Sequence, residues 1–578
     1  MCIKNRIFAI LLCVAMLVSM LCACNTPSPE KTSTPAPTEA TTPTQTTPDV
    51  TTPDSTTPEE IVIIDPPTTP AQHITSVRIT SGKSEMEAFV ATELKWYFAQ
   101  KNVTISPDGF GIDVKIDHRL AKTDGYRITC DEDGVHIVGN NERGLAYALY
   151  SFLENYLGVH FYSADTIVVD DSDVMIGGGV LGEYEPAFNI VRNPWYPIEK
   201  LAEKNGGNVH DLGATKTLNL NAIVGSGSIQ PCLSDPESLT KAISVVKNYL
   251  RAVSTDTLSF APASEYDLYC TCENCSAIHE EEGSPAGIYV RFLNALTEII
   301  SADYPNLQYE IVIRAYLKTA PSLTKLSDNI SVRFNMDKCH ISHPITDTTC
   351  PDAVAFADSM RSWGAIGADI SIEYGMTATK DFIPVFANLG SLRENMRFFA
   401  ECGVDNIVCG GNIICPTGEF GELRVYLISQ LLQNPMMSEE EYYAYMDTFL
   451  KDYYGEGWMY IRQFIDKIIE LAADGHQIAA GSPFDAITEA EYLENESTFD
   501  EWWNQAEALA GDRLDFVKRA RFQWRYIKLC LHPNAEDAQS LITDAASNPR
   551  VGWREKQWNV DTTKSDLNLA PTEWVYKS

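Results

Sequence analysis

The sequence predicts an α/β fold: a (β/α)8 TIM-like barrel preceded by a small α/β domain and followed by a helical domain. Three observations lead to it. From Ala187 to about residue 411, short apolar segments of strand length alternate with stretches of helical periodicity, as βα units require. Ahead of them lies a mixture of strand, helix and hairpin patterns, and beyond Gly421 helical periodicity takes over. Composition agrees with a globular body, at 44% hydrophobic and 10% aromatic residues. The about 510 residues beyond Ile61 suffice for two or three domains of ~100–200 residues each.

The N-terminus gives an address. Lys4 and Arg6 form a positive n-region, and Ile7–Met20 is an apolar run too short to favour a permanent membrane span. Leu21-Cys22-Ala23-Cys24 resembles a bacterial lipobox. Residues 1–23 are therefore expected to be a lipoprotein signal peptide, with Cys24 lipidated and the chain anchored outside the cytoplasm on the bacterial cell membrane. An ordinary secretory signal is the alternative. Residues 24–70 form a Thr/Pro-rich tract with almost no large apolar residue, expected to be a disordered, extended stalk. The net charge of −35 argues against nucleic acid, and against an anionic lipid surface, as partners of the folded part. Of fifteen cysteines, three lie in the signal and one is Cys24; the eleven left cannot all pair within the chain.

Residues 71–185 read as the first domain. HITSVRIT alternates like a strand, EMEAFVATELKWYFAQKN has helical spacing, and YRITCDEDGVHIVGN is a hairpin turning at Asp131–Gly134. The helix ERGLAYALYSFLENYLGVHFY opens after Asn140-Asn141 and ends near Gly158. With the hairpin it resembles the non-catalytic N-terminal domain of family 20 hexosaminidases and family 67 α-glucuronidases. Residues 186–435 are expected to hold the barrel, with strands at 188–193, 218–224, 228–233, 257–262, 309–316, 330–336, 368–375 and 405–411. The third is the least regular. Residues 436–578 are expected to form the helical domain.

In such a barrel, side chains at strand C-termini meet at the mouth, which singles out few of the 79 acidic residues. Glu265 and Asp267 follow the fourth expected strand, Asp337 the sixth and Glu373 the seventh; Glu419 and Glu422 follow the eighth. Paired carboxyls at that position suit glycosidic bond cleavage. One protonates the leaving oxygen; a second carboxylate, or the substrate's own acetamido group, stabilises the oxocarbenium-like centre. Glu265 is the expected general acid/base, Glu373 the second carboxylate, and Asp267 a group orienting an acetamido substituent or a plain turn residue. Tyr316 and Tyr374 suit hydrogen bonding to a sugar, and Trp195 and Tyr196 suit stacking on one. Glu419 and Glu422 could serve the site, cap a helix, or pair with Arg424. Cys270, Cys272 and Cys275 bring three thiols into one short loop, with Cys232 a candidate neighbour. A structural zinc ion, a disulfide such as Cys270–Cys275, and reduced buried thiols remain open. No cofactor is required for the chemistry.

The barrel region resembles a bacterial lipoprotein family with a DUF4838-type barrel, related to family 163 endo-β-N-acetylglucosaminidases. The matching segments are Y-C-T-C-E-N-C, R-A-Y, I-E-Y-G with F-I-P-V-F-A-N-L, and G-E-F-G-E-L-R-V-Y-L. Two departures stand out: Ser264-Glu265-Tyr266 replaces an N-D-G-like turn, and Ile372-Glu373-Tyr374 replaces W-D-Y. Both keep a carboxylate. In the barrel family that this region resembles, the position matched by His210 usually faces the sugar; a plain exposed loop histidine is the alternative. The resemblance implies a retaining hydrolase of a β-linked N-acetylhexosamine in a complex glycan, with either a carboxylate or the substrate's own acetamido group assisting. The alternatives are an α-glucuronidase-like exo-hydrolase, with Arg314, Arg333 or Lys338 clamping the uronate, and a non-catalytic glycan-binding lipoprotein.

Overall fold

A computed structural model describes residues 65–120, 124–163, 166–188, 190–192, 204, 215–225, 231–262, 266–336, 339–375, 378, 383–410, 419–479 and 481–548. The expected signal peptide, Cys24 and most of the expected stalk lie outside this set. All described residues belong to one compact unit, residues 63–578. Among them no helix is long and apolar enough to cross a membrane.

The N-terminal part is a six-stranded mixed sheet: β1 (Ser76–Ser81), β2 (Thr104–Ile105), β3 (Phe110–Ile116), β4 (Tyr126–Asp131), β5 (Gly134–Gly139) and β6 (Gly179–Tyr184), in the order β6-β4-β5-β3-β1-β2. Helix α1 (Glu85–Gln100) and helix α2 (Glu142–Leu157) connect its strands. The β4–β5 hairpin turns where the sequence predicts, with Asp131 opposite Gly134 at φ +121°. Ser84 and Glu87 form a capping box at the start of α1. The buried Glu87 also accepts from the Ile116 N–H at 2.8 Å, so one carboxylate ties the helix start to the end of β3. Asn141 caps α2, and Gly158 ends it in the left-handed conformation.

The second sheet is parallel throughout and has seven described strands: β7 (Ile190–Arg192), β8 (Thr215–Asn219), β9 (Thr257–Ala261), β10 (Gln308–Val312), β11 (Ile330–Asn335), β12 (Ile370–Gly375) and β13 (Val404–Gly410). Their order is β7-β13-β12-β11-β10-β9-β8, so the first strand in sequence lies beside the last. Helices α3 (Pro236–Ala252), α4 (Glu273–Glu282), α5 (Ala286–Ser301), α6 (Pro351–Ala365) and α7 (Leu392–Glu401) fall between strands.

Three expected strands differ, the segment 309–316 among them: it is strand only as far as Val312, and Ala315–Lys318, with Tyr316, forms a 3-10 helix. Only the first two residues of the segment 218–224 are strand: the Asn219 side chain accepts from the Asn221 N–H at 2.9 Å, starting a short helix, Leu220–Val224, that Gly225 closes. The expected third strand, 228–233, is not one over its described residues, 231–233. Pro231 lacks a ladder donor, and Asp235-Pro236 opens α3 at once. Residues 226–230 lie outside the described set.

Alternation along the parallel strands separates two faces. Leu258, Phe260, Tyr309, Ile311, Val332, Phe334, Ile370 and Ile372 join the main core, with Phe334 edge-on to Phe356 of α6. The other face carries Ser259, Glu310, Arg333, Asn335, Ser371, Glu373 and Asn406. Helix α8 (Gly421–Gln433) is buried along nearly its whole length, and the helices after it are α9 (Glu439–Tyr454), α10 (Trp458–Ala472), α11 (Glu489–Leu509), α12 (Leu514–Ala520), α13 (Phe522–Leu531) and α14 (Ala535–Ser547). Tyr162 joins the N-terminal part to these helices; its hydroxyl donates to Asp452 at 2.7 Å, and its ring packs edge-on to Tyr426 and Phe449.

Candidate functional site

The polar face of the parallel sheet forms a row that crosses four strands. Ser259 Oγ on β9 donates to Glu310 Oε1 on β10 at 2.6 Å. Arg333 Nε on β11 donates to the same oxygen at 2.7 Å, and its other arm reaches Glu373 Oε2 on β12 at 2.9 Å. Asn335 Nδ2 adds a third donor at 3.0 Å from Glu373. Each link joins neighbouring strands, so parallel register alone brings these side chains together. Glu310 is buried, whereas the Glu373 side chain keeps 40% of its surface. Glu373 therefore stands at the C-terminal end of its strand, open to solvent on one side and held by a guanidinium on the other.

The strand leading to Glu265 is also fixed. The Pro262 carbonyl, one residue past β9, accepts from Arg314 at 3.0 Å and from Asn219 Nδ2 at 3.3 Å. Glu265 itself lies outside the described residues, as do His210, Trp195, Tyr196, Asp337, Lys338 and Cys24.

The remaining expected site residues fall elsewhere. Asp267 is exposed and faces Lys318 at 4.0 Å. Tyr374 is buried, on the opposite face from Glu373 because adjacent strand residues point apart; its ring packs edge-on to Phe399 of α7, and Asn395 donates to its hydroxyl at 3.4 Å. Tyr316 is buried against Tyr269 and Tyr289, beneath the cysteine loop. Both tyrosines were expected to reach a sugar, and both are packed away from solvent instead. Glu419 is buried and paired with Arg424, which also donates to Asn388 Oδ1 at 2.7 Å and to the carbonyls of Glu419 and Phe386. Burial pushes the Glu419 carboxyl up to about 7 against the pull of that guanidinium. Glu422, also buried, accepts from Tyr453 at 3.1 Å. These contacts give Glu419 and Glu422 structural work. Of the cations weighed as a uronate clamp, Arg333 is engaged by two carboxylates and Arg314 grips a carbonyl. Sequence reading missed Glu310 and Asn335; strand alternation was the signal that could have found them.

The cysteines do converge. Cys232, from the turn before α3, joins Cys270, Cys272 and Cys275 so that all four sulfurs lie within 4.8 Å of one another. Cys232 Sγ is 3.7 Å from Cys272 Sγ and 3.8 Å from Cys275 Sγ. None of the described cysteines is in a disulfide. The Cys275 backbone N–H and the Ser234 hydroxyl pull the Cys272 thiol down to about 6. Burial pushes Cys270 up to about 12. Two sulfurs bound tetrahedrally at 2.3 Å would be about 3.8 Å apart, so the four thiols fit a zinc ion.

A family described as "Domain of unknown function (DUF4838)" matches residues 217–466, from β8 into α10. No curated protein matches the sequence. Among solved structures, a GH138 enzyme targeting pectin rhamnogalacturonan II is similar at a TM-score of 0.37 and 10% identity, over 81% of this chain and 90% of that one. CpGH84B is similar at a TM-score of 0.38 and 11% identity, over 88% of each chain. At these scores neither similarity bears on activity or detailed topology.

Proposed function

We propose that the protein is a surface-anchored glycoside hydrolase, with Glu265 as general acid/base and Glu373 as the second carboxylate. In this reading the parallel strands form a (β/α)8-type barrel with its site at their C-terminal ends, and lipidated Cys24 tethers it through the Thr/Pro stalk. One observation carries the reading: Glu373 is half-exposed at a strand C-terminus and braced by Arg333 and Asn335. A carboxylate that accepts from a guanidinium and an amide at a strand end is placed to stabilise developing positive charge. Cleavage also needs a proton for the leaving oxygen, and Glu265, in the segment of sequence that follows the braced end of β9, has the right chemistry. The preferred substrate is a β-linked N-acetylhexosamine within a complex glycan. Arg333 is occupied by carboxylates, which disfavours the uronate reading.

We also propose that Cys232, Cys270, Cys272 and Cys275 hold a structural zinc ion. It would staple the loop before α4 to the start of α3 and supply no catalytic step.

The test is hydrolysis of aryl N-acetylglucosaminides and complex glycans beside aldouronic acids, using wild type, Glu265→Gln and Glu373→Gln. Turnover of the amino-sugar substrates that falls at least ~10³-fold in both folded variants supports the assignment. Full activity in either variant removes that residue from the mechanism. Turnover of aldouronic acids alone favours the exo-hydrolase, and glycan binding without new reducing ends favours the binding lipoprotein.

A further inference from the structure

A second cluster of metal-binding side chains lies where the loop after β11 meets the segment after α10. One ligand atom each from His340, His343, Cys350 and His476 lies within 4.8 Å of the others. His340 Nδ1 is 3.0 Å from His476 Nδ1 and 3.3 Å from Cys350 Sγ. For a tetrahedral zinc ion those edges are about 3.3 Å between two nitrogens and about 3.6 Å between nitrogen and sulfur. The observed distances fall a few tenths short of both.

The surroundings are arranged as ligands require. His340 turns its other nitrogen, Nε2, toward Asp352 at 3.7 Å. His343 turns Nδ1 toward Asp347 Oδ2 at 3.7 Å and the Pro344 carbonyl at 3.3 Å. An imidazole that binds a metal through one nitrogen characteristically gives the other to a carboxylate or carbonyl. His343 is 4% exposed, and its remaining nitrogen, Nε2, is buried with no hydrogen-bond partner. A hydrogen-bonded histidine pair would account for His340 and His476 but would leave that nitrogen unsatisfied. Bringing three imidazoles together without a shared ligand has no evident structural benefit.

The backbone holds the two halves in register. The Ile341 N–H donates to the Gln477 carbonyl at 2.8 Å, and Ser342 Oγ donates to the Gly475 carbonyl at 2.6 Å, so the contacts flank His476 and directly follow His340. Ser391 Oγ donates to the Ile341 carbonyl at 2.7 Å, and Asn395 Oδ1 accepts from the Ile345 N–H at 2.8 Å, seating the loop on α7. Cys350 is the residue that starts α6. Three separate elements thus contribute ligands.

We propose that His340, His343, Cys350 and His476 form a second zinc site, distinct from the four-cysteine cluster. Four protein ligands leave no open position, so the ion is structural. It clamps the C-terminal helices onto a loop at the end of the sheet where Glu373 stands. His476 is exposed, which gives the ion an entry path.

The experiment uses the full-length protein, stripped with a chelator and titrated with Zn2+ by calorimetry, with elemental analysis of the reloaded sample. Wild type is expected to take up about two ions per chain, one per cluster. His343→Ala and His476→Ala should each drop to about one, as should Cys272→Ser, while Cys272→Ser with His476→Ala should take up none. The Cys272→Ser arm keeps failure of the cysteine site distinguishable from failure of this one. His476 is at the surface, so its replacement opens no cavity, and circular dichroism checks the fold. As a second readout, Co2+ loaded into Cys272→Ser should show tetrahedral d–d absorption that His476→Ala removes. Unchanged zinc content in both histidine variants, or a Co2+ spectrum indifferent to His476, overturns the proposal.

Discussion

Replacing Arg333 with Met keeps most of the side-chain volume but removes the guanidinium between Glu310 and Glu373. The two halves of that bridge should respond differently. The Glu310 side chain is only 11% exposed, so losing its counter-charge leaves a buried carboxylate with Ser259 as its remaining donor in the row. Breaking a buried pair from one side typically costs about 3–5 kcal/mol. Glu373, at 40% exposure, is re-solvated by water, and an exposed pair is worth about 0–1 kcal/mol. The retained Ser259 bond offsets part of the loss, so Arg333→Met should destabilise the protein by about 3 kcal/mol. Glu310→Gln in the same chain removes the stranded charge while an amide oxygen can still accept from Ser259. The double variant should therefore recover about 2 kcal/mol of the loss. Urea unfolding followed by tryptophan fluorescence, in zinc-containing buffer, measures both. A loss below about 1 kcal/mol for Arg333→Met, or a double variant weaker than Arg333→Met alone, would refute the view that Arg333 neutralises Glu310.

Three further outcomes are expected. Burial alone would raise the Glu282 carboxyl, but donors from Thr324, Leu323 and Arg291 overcome it and hold it at about 2. A pKa depressed from 4.5 to about 2 gives stability that is fully present above about pH 4.5 and lost as pH falls toward 2; it amounts to about 3 kcal/mol, and acid unfolding of Glu282→Gln should lack that component. Tyr374→Phe should cost about 1 kcal/mol in thermal denaturation and leave any glycan hydrolysis unchanged, whereas a tenfold loss of turnover in a folded variant would return that hydroxyl to the site. Tyr162→Phe removes the 2.7 Å hydrogen bond to Asp452 and should lower stability by about 2 kcal/mol in chemical denaturation without altering zinc stoichiometry.

Much of the local structure was legible from neighbours in sequence. The Asp131–Gly134 turn, the Asn141 and Gly158 ends of α2, and strands β9 to β13 each follow from a periodicity or a cap that a few adjacent residues specify. The cysteine cluster was half legible: three thiols share one short loop, and Cys232 was already a candidate fourth ligand. Misreadings came where local signals competed. Asn219 can end a strand or cap a helix, and it does both within 218–224.

The sequence by itself therefore determined which stretches are strands and helices, because their patterns repeat over two or 3.6 residues. It also set the acidic character of the chain, with a net charge of −35. Tertiary structure alone decided which polar groups meet. Ser259, Glu310, Arg333 and Glu373 come from four strands, and their row exists only because parallel register aligns one face of each. Tyr374 was drawn into the core by the same alternation that turned Glu373 outward. His340 and His476, 136 residues apart, touch only because the end of α10 docks on the loop after β11. Contacts at that separation leave no periodic trace in a single chain, since nothing in either segment encodes the other's position.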